Sequence, residues 1–368
     1  MNKNIKQIIE KEDFTKEDLI NLLDTEGTEQ QAIFSKAHEI KKKYVGLKTY
    51  FRGLIEFSNI CSKNCYYCGI RAGNNKVSRY ELSDEQVIES IKFAHTSQYA
   101  SVVLQGGERN DKAFIDRINV LVKKAKEMTN GEIGITLSFG EQSPETYQKW
   151  FNAGAHRYLL RIETSNKELY YKIHPNNNKH SFDNRLTALQ NLKEIGFQTG
   201  TGVMIALPYQ TTADLADDLI FFKELDVDMV GMGPYIEHTE TPMFAQKDLL
   251  LPLIDRFYLS LKMVSILRIM MKDINIAATT AMQAIDPIGR EKAIKAGANV
   301  IMPNITPTLN RSNYLLYENK PCIDESAEEC ASCIEARITI AGDSIGYGEW
   351  GDSPHFLEKQ AQRKIKIK

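Results

Sequence analysis

Apolar positions along this chain follow two spacings in turn. Up to about Tyr50 the pattern is helical and rich in polar residues. In FTKEDLINLLD the apolar Leu19, Ile20, Leu22 and Leu23 follow Thr15, a good N-cap, with Asp18 three residues on. TEQQAIFSKAHEIKKKYVG continues as a second helix ending near Gly46. After this preface, short β-type runs alternate with longer helical ones. RGLIEFSN precedes SDEQVIESIKFAHTSQ, SVVLQGGE precedes DKAFIDRINVLVKKAKEM, EIGITLSFG precedes SPETYQKWFNAGA, and HRYLLRIET precedes KELYYKI and DNRLTALQNLKEIG. QTGTGVMIALP leads to TTADLADDLIFFKEL, VDMVGMGPYI to LIDRFYLSLKMVSILRIMM and INIAATTAM to GREKAIKAG; ANVIMPN is the last run. These make eight strand–helix units if the segment after Asn304 supplies the last helix. Alternating strand and helix implies a parallel α/β sheet, and eight units imply a closed (β/α)8 TIM-type barrel. The chain divides into a helical extension (1–50), the barrel (51–320) and a C-terminal extension (321–368).

Polar and small residues cluster where the strands end: Asn59, Gln105-Gly106-Gly107-Glu108, Ser138, Arg161, Glu163, Pro208, Thr279-Thr280 and Asn304. Strand C-termini form the active face of such a barrel, although strand ends are also simply turns. Composition then removes several classes. Apolar residues make up 42% and charged residues 26%, which suits a folded core. A formal net charge of -2 argues against binding nucleic acid through a broadly basic surface. MNKNIKQIIE has no apolar run that would read as a secretory signal, and no stretch approaches the ~18 apolar residues of a membrane span. Even MVSILRIMM is interrupted by Arg268. The expectation is a cytoplasmic protein without a membrane partner.

Six cysteines fall into two triads, Cys61, Cys65, Cys68 and Cys322, Cys330, Cys333. Three disulfides are arithmetically possible, but a cytosolic setting disfavours them, and two metal sites of three thiolates each are the better reading. Cys61-Ser-Lys-Asn-Cys65-Tyr-Tyr-Cys68 directly follows the first strand, so one loop brings three sulfurs together. Zinc usually takes four ligands, and no fourth Cys or His is near in sequence. Three thiolates suit a cubane iron–sulfur cluster with one iron left open.

CxxxCxxC with an aromatic before the last Cys, after the first barrel strand, resembles the signature of the radical S-adenosylmethionine (SAM) superfamily. That resemblance implies a [4Fe-4S] cluster on Cys61, Cys65 and Cys68, with SAM chelating the open iron. One electron cleaves SAM to methionine and a 5'-deoxyadenosyl radical. EFSNICSKNCYYCGIR, RYELSDEQV, VVLQGGE, ITLSFGE, YLLRIETSN, FDNRLTALQNLKEIGFQTGTGVMIALPYQT, DMVGMGPYIEHTETP, IAATTAM and GANVIMPNITP together are similar to the HydE family of [FeFe]-hydrogenase maturases, from about Tyr50 to Cys333. Biotin synthase and methylornithine synthase share the cluster motif and barrel.

The family resemblance implies that Tyr67 lies against the adenine and that Gln105, Gly106 and Gly107 lie near the methionine end of SAM. Ser138, Glu163 and Arg185 match its polar contacts, with Met204 and Leu207 along the nucleoside. Glu163 would accept from the ammonium and Arg185 would pair with the carboxylate; the plain alternative for both is an internal barrel salt bridge. Arg161, Thr136, Thr279, Thr280, Met302 and Tyr317 match positions around a small anionic ligand, Arg161 as its carboxylate clamp. The threonines are also ordinary β-formers of a core. Ile162 and Gly106 depart from the family, which often has His and Ser there. Cys322, Cys330 and Cys333 match an auxiliary [2Fe-2S] or [4Fe-4S] site that many relatives lack; a vestigial site is the alternative.

The implied function is assembly of the hydrogenase diiron subcluster. Its substrate would be a small-molecule or organometallic species, a cysteine-bound iron carbonyl–cyanide compound delivered by the maturase HydG, with the product passed to HydF. A ferredoxin or flavodoxin would supply the low-potential electron. A methylornithine-synthase-like or biotin-synthase-like enzyme is the runner-up, and an iron–sulfur electron carrier is the alternative of a different class.

Overall fold

The computed structural model describes residues 3–366, apart from the side chains of Lys3, Asn4, Glu328, Cys330, Ala331, Ser332, Lys364 and Lys366. Eight parallel strands follow one another as β1 (Gly53–Ser58), β2 (Ser101–Gly106), β3 (Gly134–Ser138), β4 (Arg157–Leu159), β5 (Gln198–Thr201), β6 (Met229–Val230), β7 (Asn275–Ile276) and β8 (Val300–Ile301). β1 to β7 pair in sequence order as one sheet. β8 closes it. Val300 bridges Ala277 beyond β7, and Asn304 bridges Leu54 on β1. The backbone N–H of Ala278 donates to Val300 O (2.9 Å) and that of Leu54 to Pro303 O (2.7 Å). The (β/α)8 expectation is met.

The N-terminal helices form as their caps predict. Thr15 and Asp18 make a reciprocal capping box at the start of Lys16–Leu23. Ser83 with Gln86 and Thr211 with Asp214 do the same for Asp84–Thr96 and Thr212–Glu224. Leu19, Leu22 and Leu23 are buried against the main core. The strand Lys48–Phe51 pairs with β8 on one side and Ser344–Ile345 on the other. Thus the preface and the C-terminal segment meet beside the barrel.

Several strands are shorter than their apolar runs. HRYLLRIET is a strand only over β4, because the chain bends out of the sheet and reaches a left-handed backbone at Glu163 (φ 69°). QTGTGVMIALP and VDMVGMGPYI each break after β5 and β6, resuming as the paired strands Met204–Ile205 and Gly233–Pro234. At that break a Cβ on Gly202 would stand 1.9 Å from Gly231 O, so only glycine permits the approach. INIAATTAM is a strand only over β7, and Thr280 already opens the helix Thr280–Ile285.

The opposite end of the barrel is covered by residues 350–352. Arg157, buried at the start of β4, donates to Trp350 O (2.6 Å) and pairs with Asp352 (2.6 Å), while Arg52 donates to Gly351 O (3.3 Å). Burial and then Arg157 push His156 down to about 3, so this imidazole is neutral beside its two charged neighbours. Among the described residues no helix is long and apolar enough to cross a membrane.

Candidate active site

β1 runs directly into the cysteine loop at the C-terminal face of the barrel. The backbone N–H groups of Lys63 (3.4 Å) and Glu108 (3.3 Å) both donate to Cys61 Sγ. Gly107 makes the second approach possible, since a Cβ there would stand 2.3 Å from Ile60 O. Cys65 is buried; Cys61 and Cys68 are half-buried. Burial, and then Cys68 and Cys61 as neighbours, raises the Cys65 thiol well above its ordinary range. Burial pushes Cys68 up to about 12, and it raises Cys61 as well. Three thiols that resist ionisation together are suited to a cationic iron core that would take up their charge as thiolates. Among the described residues no three His, Cys, Asp or Glu side chains converge to hold one metal ion. Three cysteine sulfurs suit a cubane with one iron left open, whereas zinc usually takes four ligands.

Behind the loop lies a buried quartet of charges. Lys63 Nζ pairs with Glu108 (2.9 Å) and Glu141 (3.1 Å). Arg185, from the first turn of the helix Phe182–Ile195, faces Glu141 (2.7 Å) and Glu108 (3.5 Å). Burial works against the Arg185 charge, but the two carboxylates outweigh it and hold the guanidinium protonated. Sequence reading placed Arg185 and Glu108 near the site but missed Lys63 and Glu141 as their partners.

Tyr67 has a partner that the motif does not reveal. His174 Nδ1 lies 3.0 Å from Tyr170 O, an acceptor only, so Nδ1 carries the proton. Nε2 is then free to accept from the Tyr67 hydroxyl at 3.3 Å. Burial, then Arg185, keeps the His174 pKa well below its usual value.

Most of the remaining candidates follow strand ends at this face, whereas Thr136 lies within β3 opposite Arg157 and Met302 lies deeper, beside Arg52 and Asn275. Gln105 Nε2 donates to the Tyr314 hydroxyl (3.3 Å) and Ser138 Oγ to Leu159 O (3.0 Å). Gly106 passes Ser58 O so closely that a Cβ would stand 3.1 Å away. Met204 packs on an apolar cluster that contains Leu207, Tyr235 and Met243 and is also lined by Tyr67. Arg161 and Glu163 do not face one side of a regular strand, since β4 has already ended. They meet because the left-handed turn at Glu163 carries its carboxylate back. Arg161 Nε (3.0 Å) and Nη2 (2.9 Å) donate to Glu163, and the guanidinium also donates to Val203 O and Gly231 O. The expected clamp is thus engaged with the expected SAM acceptor. Arg185 is ion-paired too, but to Glu141 and Glu108 rather than to Glu163.

Thr136, on β3, is buried with its hydroxyl unpartnered. Thr279 donates to Met232 O (3.3 Å) and precedes the half-buried Thr280. Met302 lines a small internal cavity with Arg52, Leu159, Met229 and Asn275. Tyr317 lies on residues 313–320, which cross the cysteine loop: Gly69 N donates to Leu316 O (3.0 Å) and Asn59 Nδ2 to Asn313 O (2.6 Å).

The second triad follows this segment. Cys322 has a left-handed backbone (φ 64°), and its sulfur lies 3.8 Å from Arg290 Nη2. Cys333 is exposed on the helix Ala327–Ala341 and accepts from Arg337 Nε (3.2 Å). Cys330 belongs to the same helix, but its side chain lies outside the described residues.

The sequence profile of the radical SAM superfamily matches residues 55–222. Over 358 residues, 97% of this chain and 99% of the relative, the sequence is 43% identical to the [FeFe] hydrogenase maturase subunit HydE of Thermotoga maritima. It is 27% identical over 343 residues, 91% of each chain, to the 3-methylornithine synthase of Methanosarcina barkeri. The fold superposes on the crystal structure of methylornithine synthase with a TM-score of 0.79 at 24% identity, covering 94% of this chain and 98% of that one.

Proposed function

Because the chain belongs to the radical SAM superfamily, and within it to the HydE family of [FeFe]-hydrogenase maturases, we propose that its barrel mouth activates SAM against a sulfur-containing, cysteine-derived and iron-bound substrate. The family implies a [4Fe-4S] cluster used with SAM; Cys61, Cys65 and Cys68 are the residues proposed to hold it. When bound, the two supply one-electron cleavage of SAM to a 5'-deoxyadenosyl radical.

The chain's own contribution is positioning and exclusion of water. Two backbone N–H groups orient Cys61 and favour its charged form. Arg185 is proposed to take the SAM carboxylate, and Glu163, fixed by the Arg161 fork, to take the ammonium. Tyr67, held by His174, would present its ring to the adenine, beside Met204 and Leu207. Gln105, Gly106, Gly107 and Ser138 would line the methionine end. Thr136, Thr279, Thr280, Met302 and Tyr317, with the edge of Arg161, would surround the substrate.

The further proposals come from family membership. HydG would deliver the substrate and HydF receive the product; a ferredoxin or flavodoxin would donate the electron; and Cys322, Cys330 and Cys333 would hold an auxiliary cluster. A reducing cytoplasm suits cysteines that serve as cluster ligands. The observation that carries the reading is the buried, N–H-braced cysteine loop at the mouth of the barrel. Reconstituted protein given SAM and dithionite should form 5'-deoxyadenosine, and more of it with the cysteine-bound iron substrate. A loaded protein that leaves SAM intact would refute the reading.

A further inference from the structure

Lys63, Glu108, Glu141 and Arg185 come from four separate segments and meet as two cations and two carboxylates, all largely buried. Charges so placed normally need partners, and removing one leaves another uncompensated. The four contacts are not equivalent. Lys63 reaches both carboxylates within 3.1 Å and also donates to Lys179 O. Arg185 Nε and Glu141 Oε1 stand 2.7 Å apart but are misaligned for a hydrogen bond, so this N–H is not committed. Arg185 to Glu108 is longer, at 3.5 Å. The arginine is held by charge more than by directed bonds, while the lysine could satisfy both acids alone.

We propose that Lys63 is a positioning residue for SAM: it retains Glu108 and Glu141 when Arg185 turns to the carboxylate of SAM, so that the exchange leaves one net buried negative charge rather than two. The inference rests on the reading of Arg185 as the partner of that carboxylate. It ties the cysteine loop to SAM binding, because Lys63 lies between Cys61 and Cys65. Without Lys63 two carboxylates would pull on Arg185 alone and compete with SAM. Without Glu141 the competition would be relieved.

The test is a charge-balanced double-mutant cycle on cluster-loaded protein, with SAM affinity read by calorimetry at one pH and iron content measured in parallel. Lys63→Met should weaken SAM by about tenfold, within the usual range of coupling between sites. Glu141→Gln should leave affinity unchanged or tighten it. The double variant should return to within about threefold of wild type, because its charges again balance. Arg185→Met is the control. If it leaves SAM affinity unchanged, the reading of Arg185 fails. If it weakens SAM while Lys63→Met does not, or while the double variant is no better than Lys63→Met, the role given to Lys63 is overturned. Should Lys63→Met fail to retain iron, recovery of iron in the double variant supports the balanced quartet, and no recovery means that Lys63 serves only to shape the loop.

Discussion

Cys61, Cys65 and Cys68 share their residue type with Cys322, Cys330 and Cys333, yet the two triads lie in opposite kinds of surroundings. The first is sunk at the mouth of the barrel, receives two backbone N–H groups, and has a quartet of buried charges behind it. The second follows residues 313–320, with an exposed Cys333 and a half-buried Cys322 that face arginine side chains. Backbone donors are fixed by the fold, whereas the contacts of the second triad come from the side chains of a buried Arg290 and a half-buried Arg337, whose positions depend on their rotamers. The spacing of cysteines indicates what can be bound; the fold around them indicates whether it is held in one geometry.

The sharpest break in the comparison is to delete one sulfur at a time. Changing Cys61, Cys65 or Cys68 to Ala should abolish 5'-deoxyadenosine formation, since a cluster short of one thiolate is labile. Near-normal product from any of the three variants would remove the distinction between the sites. A smaller but still large contrast concerns thiol reactivity. With Cys68 pushed up to about 12 by burial, its thiolate fraction at pH 8 is on the order of 10⁻⁴. In iron-free protein, iodoacetamide at pH 8 should therefore label Cys333 at least about a hundredfold faster than Cys68, as followed by peptide mass spectrometry. The sign is set by the raised value: labelling of Cys68 should climb with pH up to about 12. Equal rates at pH 8 would show that the first loop is open.

Next in size is the bracing of Glu163. Arg161→Lys keeps the charge but loses the planar fork, whose charge-assisted bonds contribute roughly 1.5–3 kcal/mol each. SAM affinity should fall by about tenfold through the loosened carboxylate. If SAM affinity holds and only substrate binding suffers, Arg161 acts as a substrate clamp and its contact with Glu163 is incidental. The smallest effect is expected from replacing Cys322, Cys330 and Cys333 together by Ala. Bound iron should drop while the rate of SAM cleavage stays within about threefold, measured per retained first cluster. A dead variant with its first cluster intact would give the second triad a catalytic role.

How far this contrast could be read in advance depends on how local its cause is. The triad itself, the Thr15–Asp18 capping box and the eight alternating units were legible, because each is written within a few residues or one repeat. The quartet was not. Residues 63, 108, 141 and 185 are brought together only when four successive barrel segments close on one another. Tyr67 was legible as an aromatic, but its bond to His174 depends on a helix more than a hundred residues away. Arg161 and Glu163 were legible as two separate ligand-binding groups, but their contact with each other accompanies a left-handed backbone at Glu163 that HRYLLRIET does not advertise. The cover at the far end of the barrel, where Asp352 meets Arg157, lies in a stretch with no apolar period to betray it.

The central claim is that the first triad alone carries the chemistry of SAM. Electron paramagnetic resonance of the dithionite-reduced triple variant lacking Cys322, Cys330 and Cys333, with and without SAM, tests it directly. A reduced [4Fe-4S] signal that persists in the variant and shifts when SAM is added is the predicted result. Loss of that signal, or a signal that SAM does not move although the wild-type signal responds, would contradict it.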